Sequence, residues 1–65
     1  MKIRKHQIML LVAERGLTKA ALAELCGISR QNLSTLLLRG TCAPATAGKL
    51  AKGLGVPVAE IVKED

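Results

Sequence analysis

The chain contains no Phe, Trp or Tyr. That absence argues against single-strand readers, which stack bases on aromatic rings, and it makes any core purely aliphatic. Histidine occurs once, at His6, and cysteine twice, at Cys26 and Cys42. Zinc sites need paired Cys or His at short spacing, and the sequence has no CxxC, so neither a metal site nor a structural disulfide is expected. Cys26 falls on an apolar helical face, where a thiol behaves as a small hydrophobe, while Cys42 falls in a loop. No apolar run reaches the roughly 18 residues of a membrane span. Met1-Lys2-Ile3-Arg4-Lys5 leads into no signal-peptide cleavage pattern, and the expected location is the cytoplasm, with no membrane partner. Neither catalysis nor a cofactor is expected, because His6 stands in a basic N-terminal arm with no nucleophile or carboxylate placed near it by spacing.

Acidic residues are also scarce. Five Asp and Glu stand against ten Lys and Arg, a net charge of +5, with pI about 9.8. A polyanion is the natural partner for such a balance. The charge is uneven: residues 1–40 hold Lys2, Arg4, Lys5, Arg15, Lys19, Arg30 and Arg39 against Glu14 and Glu24, whereas residues 41–65 are balanced. The length of 65 residues reads as one domain, residues 1–65, small but within the range that folds alone.

What is present is helical periodicity throughout, with no alternating run that reads as a strand. A first helix is expected from about Arg4 to Arg15, with Ile8, Leu11 and Val12 on one face and Gly16 as its stop. Thr18 caps a second helix to about Cys26, with Leu17 ahead of it as a hydrophobic staple; position 21 is Ala, so the fuller capping box is missing. Gly27 ends that helix. Ser29 caps a third, to about Arg39, with Leu33, Leu36 and Leu37 inward. Pro44 opens a fourth that buries Ala47, Leu50, Ala51 and Leu54 and stops at Gly55. Gly48 and Gly53 inside it each cost up to ~1 kcal/mol against Ala, unless a close helix approach requires them. Pro57 begins a short fifth helix carrying Val58, Ile61 and Val62.

Leu17–Leu36, LTKAALAELCGISRQNLSTL, says most about function. Two short helices crossing steeply need a small residue at their contact, and Ala23 occupies that place. The turn needs a residue tolerant of positive φ, and Gly27 supplies it four residues later. The second helix needs an apolar lock, and Leu33 arrives six residues after Gly27, with Leu22, Cys26, Ile28 and Leu36 at the other inward positions. This is the layout of a helix-turn-helix, whose first helix props the second against the major groove of DNA.

LTKAALAELCGISRQNLS, followed by RGTCAPATAGKLAKGLGVPVAEI, resembles the Cro and phage-repressor-type (xenobiotic-response-element type) helix-turn-helix family over nearly the whole chain. The resemblance implies an all-α, compact five-helix, lambda-repressor-like fold, sequence-specific binding of duplex DNA and transcriptional control, usually as a dimer. Three departures stand out. Lys19 replaces the Gln common at the start of helix two, and LLLRG holds one residue more than the usual spacing. Val12 and Leu37 stand where family members often pair an Arg with a Glu, so these two are expected to touch.

The N-terminal part of the third helix reaches base edges in such an arrangement, which nominates Arg30, Gln31, Ser34 and Thr35 as readers. Lys19, Ser29, Asn32, Arg39 and Thr41 are the candidates for phosphate contact, with Ser29 also a cap. A domain this small covers few base pairs, so a homodimer reading a palindromic operator, as a repressor, is expected, with Val58 and Val62 at its interface. Two other classes are open to such a sequence. A protein-binding module on the same fold, such as an antitoxin, would show a more apolar face than Arg30-Gln31-Asn32-Ser34. A membrane-active amphipathic peptide would lack the caps and stops that divide this chain.

Overall fold

A computed structural model describes residues 1–63 of the chain. Four α-helices follow a short strand: β1 (Lys2–Ile3), α1 (Lys5–Glu14), α2 (Lys19–Cys26), α3 (Arg30–Arg39) and α4 (Pro44–Leu54). A single 3₁₀ turn, Val58–Glu60, then leads to β2 (Val62–Lys63).

The caps and stops lie where the side chains call for them. Thr18 is extended and its hydroxyl accepts from the Ala21 amide at 3.1 Å; Ser29 does the same for Asn32 at 3.0 Å. Each bond satisfies one of the amides that a helix start leaves without a partner. Between these two helices Gly27 sits at φ 69° and ψ 31°, a left-handed conformation that costs glycine little and other residues more. That turn leads from α2 into α3, with Ala23 buried and its carbonyl accepting from the Ile28 amide at 3.0 Å.

One aliphatic core gathers the inward stripes of all four helices. The residues expected there from helical counting are buried, from Ile8, Leu11 and Val12 in α1 to Leu50, Ala51 and Leu54 in α4; Ile28, in the turn, is half-buried. Val12 and Leu37 both belong to this core, with no charged or polar side chain buried beside them among the described residues.

The fifth helix does not form, and the all-helical expectation is corrected at both ends of the chain. After Pro57 the backbone closes i→i+3 bonds only, Glu60 N–H to Pro57 O and Ile61 N–H to Val58 O, at 3.0 and 3.1 Å. The next carbonyls are taken from elsewhere: Arg4 donates its amide to Ile61 O at 2.7 Å and its Nε to Val62 O at 3.0 Å. β1 and β2 pair antiparallel, Lys2 opposite Lys63 and Ile3 opposite Val62. On its other side β1 meets the loop after α3, with Ile3 N–H donating to Gly40 O at 3.0 Å and Cys42 N–H to Met1 O at 2.9 Å. The chain's first residues are therefore built into the domain rather than forming an arm. Ile3 and Ile61 are both buried in the core.

Candidate nucleic-acid interface

α3 divides its side chains cleanly. Leu33, Leu36 and Leu37 are buried, while Arg30, Gln31, Asn32, Ser34, Leu38 and Arg39 are exposed and Thr35 is half-buried. At 100° per residue, Gln31, Ser34, Thr35 and Leu38 fall on the stripe opposite the core, because residues three, four and seven apart share a helical face. Asn32, Thr35 and Arg39 form a neighbouring stripe by the same count.

That second stripe borders a hollow of about 390 Å³, completed by Thr41, Cys42, Ala43 and Thr46 and by Met1. Four of the nominated residues, Asn32, Thr35, Arg39 and Thr41, are thus brought to one concavity. Gln31 and Ser34 stand on the exposed face of α3 outside it, while Arg30 is exposed as the first residue of the helix, on the stripe that continues into Leu33 and Leu37, and Lys19 is exposed at the first position of α2. Thr46 and Met1 were not apparent from the sequence. Thr46 lies in the first turn of α4, which begins at Pro44 with Ala43 before it and no side-chain cap; a helix start written Ala-Pro, lacking a capping residue, was the available signal.

Two hydroxyls on α3 are already engaged within the helix. Ser29 accepts from the Asn32 amide, and Thr35 donates its hydroxyl proton to Gln31 O at 2.9 Å. The Thr35 hydroxyl oxygen keeps its acceptor capacity, so it can still take a hydrogen bond from a donor outside the helix. Arg30, Gln31 and Arg39 supply guanidinium and amide groups of the kind that bind guanine and adenine through paired hydrogen bonds or meet phosphate.

A family model described as Helix-turn-helix, of the Cro/C1 type, matches residues 8–61. The chain belongs to the Cro/C1-type helix-turn-helix family. This is a family of DNA-binding transcription regulators, not typically enzymes. Comparison with curated proteins and with solved structures gives no match. In this Cro/C1-type domain α2 and α3 are the helix-turn-helix, and no helix among the described residues is long and apolar enough to cross a membrane.

The remaining candidates lie elsewhere. Val58 is exposed on the 3₁₀ turn, and Val62 is half-buried against the core on β2. Cys26 and Cys42 are free thiols. Burial pushes both thiols up from their ordinary range, an effect the N-terminal ammonium partly offsets at Cys42.

Proposed function

We propose that this protein is a cytoplasmic, sequence-specific transcriptional repressor that binds a palindromic operator in duplex DNA as a homodimer. The observation that carries the reading is the solvent-facing side of α3, where Gln31, Ser34 and the half-buried Thr35 lie opposite the core and Arg30 is exposed at the first position, on a helix anchored by three buried leucines. Arg30 and Gln31 are the main base readers, with Ser34 and Thr35 beside them. Lys19, Ser29, Asn32, Arg39 and Thr41 fix the domain on the phosphates. The hollow shared by Asn32, Arg39 and Thr41 supports this division, since its donors are polar, exposed and adjacent to the reading stripe.

Dimerisation through Val58 and Val62 sets two copies of α3 one DNA turn apart, ~34 Å. The exposure of Val58 supports this surface. Selection of bound duplexes from a random pool, repeated with Arg30→Ala and Gln31→Ala, tests the reading. The wild type should return an inverted repeat. Each variant should lose roughly 1–3 kcal/mol and relax its preference at one base pair per half-site. A pool that stays random, or an enriched site without symmetry, would overturn the repressor-dimer reading. Sedimentation of the complex gives the stoichiometry directly.

A further inference from the structure

Beside the hollow lies a larger open cleft of about 720 Å³, between β1, the first turns of α1, the end of α3 and Lys63. Arg4, Lys5, His6, Arg39 and Lys63 all border it, and no acidic side chain does so among the described residues. The first turn of α1 also carries no acid, and Arg4 makes no side-chain capping bond there. The cleft is a product of the strand pairing. Holding Ile3 between Gly40 and Val62 turns the start of α1, with Lys5 and His6, over the end of α3.

We propose that this cleft is a second DNA-backbone site, which takes the phosphodiester strand running past the end of α3 and extends the interface beyond the groove. The proposal rests on the DNA-binding reading above and deepens it. Its chemical basis is a concave surface whose charged side chains, among the described residues, are all basic, which favours a polyanion. Its placement argues for the same duplex rather than a separate ligand. Arg39 and Thr41 border both the cleft and the hollow beside the reading face, so one continuous strand can pass from one to the other. Arg4, Lys5, His6 and Lys63 all fall outside residues 8–61, the span matched to the family. The extension therefore belongs to the flanks of this particular chain. Backbone contacts carry no sequence information, so the cleft adds affinity equally to every sequence.

The test is the salt dependence of binding, measured by fluorescence anisotropy on the selected duplex and on an unrelated one. Each lost phosphate contact lowers the log–log slope by about 0.9, so Lys5→Gln with Lys63→Gln should lower it by nearly 2 and weaken both duplexes by the same factor. Lys49→Gln with Lys52→Gln removes the same charge from α4, outside the cleft, and should leave the slope at the wild-type value. Melting curves of both double variants should match the wild type, since all four side chains are exposed. Amide shifts at residues 3–7 and 40 should move when duplex is added. An unchanged slope in the Lys5/Lys63 variant, with a steep wild-type slope, overturns the proposal and leaves the groove reading intact. So does a shift of these amides by inorganic tripolyphosphate but not by duplex, which would assign the cleft to a free anion. Absence of duplex binding by the wild type would overturn the DNA reading itself.

Discussion

Gly53 of α4 packs directly on Cys26 of α2. A methyl group at position 53 would come within 2.5 Å of the Cys26 Sγ and 3.2 Å of the Cys26 backbone. The same thiol points toward the Leu50 carbonyl at 3.9 Å. The two helices thus meet through a glycine and a small buried side chain at the base of the helix-turn-helix, and the position of α2 sets the position of α3.

Gly53→Ala should therefore destabilise the protein, although alanine is the better helix former. The propensity gain is about 1 kcal/mol, against roughly 1–3 kcal/mol for overpacking with backbone on the opposing side. Gly48 is the counter-case, since nothing lies within 4 Å of a methyl group placed there. Gly48→Ala should stabilise by up to about 1 kcal/mol, a rise of some 4–8 °C in melting temperature for a domain of this size. Adding Cys26→Ala to Gly53→Ala should recover part of the loss in a double-mutant cycle. Equal melting temperatures for the two glycine variants would refute the close-packing argument.

Val12 and Leu37 replace the charged pair common in the family, and both lie in the apolar core. Exchanging a buried ion pair for apolar residues is often neutral or stabilising, but one charge left alone there costs about 3–5 kcal/mol. Val12→Arg should accordingly unfold much of the population in thermal or urea melts. Val12→Arg with Leu37→Glu should be more stable than Val12→Arg alone. A double variant no better than the single one would mean that the two positions do not face each other.

The helices were legible because their signals are local. Thr18, Ser29 and Gly27 punctuate the chain within a few residues of the elements they bound, and the leucine stripe of α3 follows from helical counting. The residues proposed to read bases came instead from the helix-turn-helix arrangement, which puts the N-terminal part of α3 toward the groove. The two-residue strands carried no such signal, since β1 is too short for alternation to register and β2 pairs with it across almost the whole chain. Pro57 and the valines after it read as a helix start, yet five residues cannot sustain one when Arg4 captures the carbonyls of Ile61 and Val62. The hollow and the cleft escaped for the same reason, because both depend on where β1 docks.

That docking should matter to stability. Ile3 is 3% exposed and Ile61 fully buried, so Ile3→Ala and Ile61→Ala should each cost about 2–5 kcal/mol. Leu38, 84% exposed on α3, is the control, and Leu38→Ala should change stability by no more than about 0.5 kcal/mol. Urea midpoints read all three. A harmless Ile3→Ala would show that β1 is not integral to the fold, and the cleft built on it would lose its basis.

Ser29 holds two assignments that a pair of variants separates. Its hydroxyl caps α3 through the Asn32 amide, and it is also proposed to meet phosphate. Ser29→Ala should cost about 1 kcal/mol of stability, as should Thr18→Ala at the equivalent place on α2. Ser29→Asp keeps an oxygen on the cap and adds a negative charge that the start of a helix favours, so it should melt at or above the wild-type temperature. The same carboxylate would face the phosphates and weaken duplex binding by about tenfold at low salt, with the loss shrinking as salt rises. A stable Ser29→Asp protein that binds duplex as tightly as the wild type would leave Ser29 a cap and remove it from the interface.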